Sequence, residues 1–155
     1  WEVTWVQPLD FLLEGLGFTA NYTDIDQEGS GAAPAIATGV SPVTYNFTTY
    51  YERGGFSGRL SYTWNDIQQQ TSSPQDSFGG SATQPQAGHR FNVERGQLDA
   101  AFRYTFDNLP TTPQLTLDLI NINGETRREY QGYENLAYKF YDPGYTILLG
   151  VRGTF

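Results

Sequence analysis

The side chains best suited to hold a small polar ligand lie in a connection between two predicted strands, residues 123–144. They combine aromatic rings, which can stack on sugar rings, with cationic and amide groups, which can hydrogen-bond hydroxyls; they are Arg127, Arg128, Tyr130, Tyr133 and Asn135. His89 and Arg90 add a second polar pair late in the connection 67–96. The alternative is that the aromatic residues pack loop against loop and that the single histidine is simply solvated. We take all seven residues as candidate contacts to a small molecule or an oligosaccharide.

Four charged residues fall on the polar side of three consecutive predicted strands: Arg59, Asp99, Arg103 and Asp118. If the turn after residue 106 is symmetric, with residue 106 opposite residue 115, Arg103 faces Asp118 across the hairpin. One interpretation is a ladder in which charges of opposite sign neutralise each other along a wall. The other is a contact to a ligand or to a gate.

Composition argues against several classes of function. The chain has 155 residues, with 9 Lys and Arg against 17 Asp and Glu, so its net charge of −8 disfavours nucleic-acid binding. It has no cysteine and one histidine, which disfavours a disulfide framework, a thiol nucleophile and a histidine-based metal site. No nucleophile–base arrangement, P-loop or metal motif is visible, so we expect no enzymatic activity, no cofactor and no metal.

Seven segments alternate strictly between apolar and polar residues, which is typical of strands with one apolar face and one polar, solvated face. They lie near 1–8, 16–26, 43–52, 56–66, 97–107, 114–122 and 145–155. No charged residue occupies the apolar positions, and Lys139 is the only lysine, whereas soluble sheets use lysine freely on exposed faces. Strands of about 11 residues at roughly 3.3 Å each measure about 36 Å. Tilted by about 40°, they cover roughly 27 Å, which is the height of an outer-membrane apolar band.

The connections alternate short and long. The short ones are 9–15, 53–55 and 108–113, and the long ones are 27–42, 67–96 and 123–144. Outer-membrane barrels have short periplasmic turns and long extracellular loops, so this pattern predicts an antiparallel, up-and-down transmembrane β-barrel with a periplasmic C-terminus. Seven strands do not close a single-chain bacterial barrel, which has an even number. We therefore expect residues 1–155 to be the C-terminal segment of a larger barrel.

Several stretches resemble the C-terminal barrel strands of TonB-dependent receptors, in the branch common in Xanthomonas- and Caulobacter-like proteobacteria. They are Gln7–Leu12, Gly15–Thr23, Tyr50–Ser57 and Tyr141–Tyr145. The final Phe155 and Gly150 are similar to the outer-membrane assembly signal, although Gly153 departs from it. The resemblance implies a 22-stranded barrel, with a plug domain and a TonB box outside these residues.

The resemblance also implies a function and its partners. Such receptors bind nutrients, of the carbohydrate or iron–siderophore class, at extracellular loops and import them across the Gram-negative outer membrane with energy coupled through TonB. The implied partners are the remaining strands and plug, TonB, the barrel assembly machinery, and outer-membrane lipid and lipopolysaccharide. Two alternatives remain: a passive porin or structural outer-membrane barrel, and a soluble secreted β-sandwich adhesin.

Aromatic residues near the predicted strand ends provide a test of the membrane interpretation. Amphipathic rings favour the lipid–water interface, so we expect them to form parts of two aromatic girdles. The residues are Trp1, Trp5, Tyr22, Tyr51, Phe56, Trp64, Phe106 and Phe155.

Overall fold

The chain folds as two antiparallel β-sheets. The computed structural model describes residues 1–28, 37–70 and 88–153, and within these ranges all regular secondary structure is strand. The strands are β1 (Glu2–Pro8), β2 (Leu16–Asp24), β3 (Val43–Arg53), β4 (Phe56–Asn65), β5 (Gln68–Gln69), β6 (Arg90–Asn92), β7 (Arg95–Thr105), β8 (Gln114–Ile120), β9 (Arg127–Gln131), β10 (Tyr133–Tyr141) and β11 (Thr146–Arg152). Among the described residues, no helix is long and apolar enough to cross a membrane.

The main sheet has seven strands in the order β1-β2-β3-β4-β7-β8-β11, each antiparallel to its neighbours. These are the seven alternating segments, so the all-β, antiparallel prediction is confirmed and the predicted strand ends are correct to within a few residues. The sheet is open: in the described part of the chain, β1 and β11 each pair on one side only. No closed barrel is present in those ranges.

The short turn between β3 and β4 is built on two glycines. Arg53 pairs with Phe56, so Gly54 and Gly55 alone make the turn. Gly54 has a φ of 56°, in the left-handed region that glycine enters without steric cost. A side chain at Gly55 would lie 2.2 Å from the Thr105 carbonyl oxygen of the neighbouring strand. The predicted turn at 53–55 is therefore confirmed, and both glycines are required there.

The hairpin between β7 and β8 corrects the predicted register. Arg103 lies opposite Thr116, and Asp118 lies opposite Ala101, so the predicted Arg103–Asp118 pairing was wrong. The turn closes with the Phe106 amide donating to the Pro113 carbonyl oxygen at 2.9 Å, instead of with residue 106 opposite residue 115. The error is two residues, which preserves the assignment of side chains to faces because the strand repeat is two.

The second sheet has four strands in the order β10-β9-β6-β5. It forms from the connections 67–96 and 123–144, so the prediction that these are plain loops was wrong. Three of its strands have two to five residues, and the pairing of the nine-residue β10 with β9 is irregular between Tyr133 and Ala137 and between Ala137 and Lys139. Such interrupted alternation hides the strands from a periodicity argument. The β6–β9 pairing that joins the two connections is also remote in sequence.

Very little of the described structure is buried. The buried apolar residues there are Ala100, 6% exposed, and Tyr130, 9% exposed. Large apolar side chains of the main sheet are uncovered, as Phe102 at 37% and Leu149 at 72% exposure show. Among the described residues, the main sheet is therefore a single layer whose apolar side chains are not packed into a protein core.

Candidate ligand-binding surface

The register of the main sheet places the apolar positions of all seven strands on one face. Val3, Tyr22, Tyr45 and Trp64, for example, form one row across β1 to β4. Rings on this face contact one another between strands: Trp1–Tyr22 at 5.0 Å, Trp5–Phe18 at 5.5 Å, Phe18–Phe47 at 5.6 Å, Tyr45–Trp64 at 5.0 Å, Tyr51–Phe56 at 6.1 Å and Phe56–Phe102 at 6.4 Å. Of the rings expected in two girdles, Phe155 lies outside the described residues. This apolar face is exposed, and contacts between aromatic rings connect its neighbouring strands.

The opposite face, here called the polar face, is joined by hydrogen bonds between side chains. Asn21 donates to Thr4 Oγ1 at 2.8 Å and to Glu2 Oε1 at 3.0 Å. Asn46 donates to Thr63 Oγ1 at 2.7 Å, and the Thr48 and Ser61 hydroxyls are 2.6 Å apart. These contacts cross from β1 to β2 and from β3 to β4. The two faces of one sheet thus differ in chemistry along its width.

Three of the four charged residues predicted as a ladder lie together in the structure, and the fourth lies apart from them. Arg59, Asp99 and Asp118 line one shallow depression on the polar face, with a volume of about 330 Å³. Arg103 lies in another row, between Ser57 and Thr116. Within the described ranges, no ion pair joins the four residues, because the register is shifted from the predicted one.

Asp99 instead anchors the turn after β8. Its carboxylate accepts hydrogen bonds from the Asn121 backbone amide at 2.8 Å and from Gln97 Nε2 at 2.9 Å. Asn121 is buried, with a φ of 59°, and its side-chain amide donates to the carbonyl oxygens of Glu125 and Gly144. Asparagine tolerates this left-handed conformation better than most residues. The sequence argument missed Asn121; an asparagine after an apolar strand was the available signal.

The second sheet brings the candidate ligand residues together. Arg90 is in β6, Arg127, Arg128 and Tyr130 are in β9, Tyr133 and Asn135 are in β10, and His89 precedes β6. The sequence assigned these residues to two separate loops, whereas β6 and β9 are hydrogen-bonded neighbours. The residues therefore belong to one sheet, although Arg127 and Arg128, which are adjacent in β9, lie on opposite faces of it.

Some of these candidates have structural partners. The Tyr130 ring stacks on Phe91 at 5.1 Å, and the Arg90 guanidinium lies 4.8 Å from the centre of the Tyr138 ring. Gln69 Nε2 is 3.1 Å from His89 Nδ1. Burial, followed by the negative charges of Glu134 and Glu94, raises the pKa of Tyr130 above its ordinary value of 10.0. Tyr130 and His89 thus help to hold the second sheet together.

Other candidates are open to solvent. Tyr133 is 75% exposed, and Arg127, Arg128 and Asn135 are also exposed. Three further aromatic residues of β10 share this exposure: Tyr138, Phe140 and Tyr141. An exposed aromatic ring can stack on a sugar ring, and an exposed guanidinium nearby can donate hydrogen bonds to the sugar hydroxyls. The exposed members of the set are therefore the ones free to contact a ligand.

A close backbone approach fixes one edge of this surface. A side chain added at Gly88 would lie 2.1 Å from the Gly132 Cα atom, and Gly132 has a φ of 72°. The Gly132 amide donates to the His89 carbonyl oxygen at 2.9 Å. Both positions require glycine, and the sequence argument gave neither a role because their contact is between distant segments.

A polar cavity of about 240 Å³ lies where the two sheets meet. It is lined by Ser41, Asn65, Asp66, Gln68, Asn92, Val93, Arg95 and Arg127. Of these, only Arg127 belongs to the set predicted from sequence. In the described ranges, no group of three or more histidine, cysteine, aspartate or glutamate residues is placed to hold a metal ion.

Comparison of the chain with protein-family models, with curated proteins and with solved structures finds no match. The resemblance to TonB-dependent receptors therefore stays a prediction, as do the assembly signal at Gly150 and Phe155 and the assignment of ligand contacts. Gly150 lies in β11 with its backbone opposite Thr116, and Phe155 is outside the described residues.

Proposed function

We propose that this chain forms part of an outer-membrane transporter that binds a nutrient at its extracellular surface and imports it with TonB-coupled energy. In this proposal the seven strands belong to a closed barrel, and the edges of β1 and β11 pair with further strands of the same receptor. The second sheet projects from the membrane on the extracellular side. A plug domain, TonB and the barrel assembly machinery are the expected partners.

The observation that carries the proposal is the uncovered apolar face. A single-layer sheet in water would expose Phe102, Leu149 and Val151 on one broad surface, which soluble monomers rarely do over large areas. Acyl chains would cover that surface, while the hydrogen-bonded polar face would line a wet interior. A strand edge facing lipid leaves backbone groups unpaired at a cost of several kcal/mol each, which favours closure by other strands.

The membrane part of this proposal is testable with tryptophan fluorescence. The complete protein is reconstituted into vesicles that contain brominated phospholipid, a quencher confined to the acyl region. One variant keeps Trp64 as its only tryptophan, and a matched variant carries a single tryptophan at Thr63 on the polar face. We expect strong quenching of Trp64 and weak quenching at position 63. Equal, weak quenching of both would indicate a soluble sandwich and overturn the proposal.

The transport part requires a second measurement. Uptake of radiolabelled maltotriose, galacturonate and ferrichrome is compared in cells with and without TonB, each with and without the gene for this protein. We expect at least one probe to enter only when both the protein and TonB are present. Uptake that needs the protein but not TonB would indicate a passive porin instead.

A further inference from the structure

The polar cavity between the sheets contains an excess of positive charge. Among the described residues of its lining, Arg95 and Arg127 are cationic and Asp66 alone is acidic. The chain as a whole carries a net charge of −8, so a locally positive lining departs from the average surface. Focused charge of one sign in a concave site raises the local concentration of ligands of the other sign.

The two arginines of the lining differ in how far neighbouring groups compensate their charge. Arg95 donates to the Gln97 side-chain oxygen, a neutral acceptor, and its Nε atom is buried without a hydrogen-bond partner in the described structure. Arg127 forms an ion pair with Glu129, with Nε 3.8 Å from Oε1, and its side chain is 51% exposed. Asp66 Oδ1 accepts a hydrogen bond from the Ile67 backbone amide at 2.7 Å, so one oxygen of this carboxylate is already bound to the protein backbone. Arg95 therefore has no acidic partner among the described residues, whereas Arg127 shares its charge with Glu129.

Amide and hydroxyl groups complete the wall. Asn92 Nδ2 donates to Gln68 Oε1 at 3.0 Å, whereas Asn92 Oδ1 is buried without a partner in the described ranges. Asn65 lies opposite Arg95 in the pairing of β4 with β7. The two side chains are therefore neighbours on the polar face, at the end of β4 and the start of β7. Unsatisfied buried polar atoms are uncommon in native structures, and a bound group is one of the arrangements that accounts for them.

We propose that this cavity is a subsite for a carboxylate group of the imported nutrient, with Arg95 and Arg127 as the binding residues. The planar fork of arginine matches a carboxylate through two parallel hydrogen bonds, and the neighbouring amides can bind adjacent hydroxyls. A volume of about 240 Å³ is below the usual range of about 300–1,000 Å³ for a whole ligand, so the cavity takes one charged unit. The inference rests on the proposed function, since it specifies the ligand of that transporter.

Two sources supply such a carboxylate: a sugar acid and a carboxylate metal chelator. Binding of galacturonate, galactose and citrate to the complete protein in detergent is measured by calorimetry. We expect galacturonate or citrate to bind, and galactose to bind at least tenfold more weakly than the acidic ligand. Galacturonate alone identifies an acidic saccharide, and citrate alone identifies a carboxylate chelator. Equal affinity for galactose, or binding of none of the three, overturns the proposal.

Variants locate the site. We expect Arg95→Gln and Arg127→Gln each to weaken the acidic ligand at least tenfold, and Arg95→Lys to weaken it less because it keeps the charge without the fork. Arg152→Gln, an exposed arginine in β11 outside the cavity, is the matched control and should bind normally. Heat-dependent gel mobility checks folding of each variant. Unchanged binding in folded Arg95→Gln and Arg127→Gln overturns the site, while the quenching and TonB measurements test the transporter separately.

Discussion

The carboxylate of Asp99 in β7 accepts a hydrogen bond from the backbone amide of Asn121, 2.8 Å away at the end of β8. Asn121 in turn donates to the carbonyl oxygens of Glu125 and Gly144, just before β11. Three strands of the main sheet thus meet at one polar anchor. Asp99, which the sequence predicts as part of a charge ladder, therefore stabilises the turn between β8 and β9.

This anchor predicts a specific loss of stability. Replacing Asp99 by alanine leaves the buried Asn121 amide without its acceptor, which costs about 1–3 kcal/mol. Urea unfolding of the complete protein in vesicles measures the change. Asp118→Ala removes a carboxylate of the same depression that has no hydrogen bond or ion pair among the described residues, and it should cost less. Equal losses for the two variants would contradict the anchor.

The face assignment predicts unequal effects of two neighbouring substitutions. Phe102→Arg places a charge on the apolar face and should destabilise the protein in membranes by about 2–4 kcal/mol if the position lies at mid-depth. Arg103→Phe, on the polar face, should destabilise it less. Folding yield and unfolding free energy in lipid vesicles give the comparison. If both variants lose the same free energy, the assignment of faces is wrong.

The contact between Gly17 and Tyr50 predicts a steric effect with a rescue. A Cβ atom at Gly17 would lie 2.3 Å from the Tyr50 hydroxyl oxygen, so Gly17→Ala should cost about 1–3 kcal/mol. Adding Tyr50→Ala makes room for the methyl group, and the double variant should lose less than the sum of the single losses. Gly153→Ala, whose nearest neighbour would be 3.8 Å away, is the control. Additive losses in the double-variant cycle would show that the two residues do not interact.

The raised pKa of Tyr130 predicts a stability that falls at high pH. Burial favours the neutral phenol, so the unfolded chain releases this proton at about 10 while the folded chain retains it. Stability is therefore complete below pH 10.0 and decreases as the pH rises through the higher folded value. Unfolding at several pH values should show a smaller decrease for Tyr130→Phe than for the wild type. The exposed Tyr133→Phe should keep the wild-type dependence, and a Tyr130→Phe variant that does the same would contradict the prediction.

The second sheet is the part of the fold that the sequence predicted least well. The candidates Arg90 and Tyr130 were identified from their chemistry, yet their strands are three and five residues long and pair across about 40 positions of sequence. Nothing in local alternation indicates such a pairing. Buried groups such as Gln131, and the close approach of Gly88 to Gly132, depend on contacts that only the folded chain contains.

Local alternation in the sequence predicts the seven long strands, their short and long connections and the face of the sheet on which each residue lies, because a repeat of two residues is a local property. It also predicts that Phe102 and Arg103 have opposite surroundings. The register is seen only in the folded structure, where Arg103 lies opposite Thr116 and not opposite the predicted Asp118. The hydrogen bonds of the turn set its length, and the turn length sets the register. The folded structure also brings two distant connections together, so that Arg95 and Arg127 line one cavity, because pairing between remote segments has no local signature in the sequence.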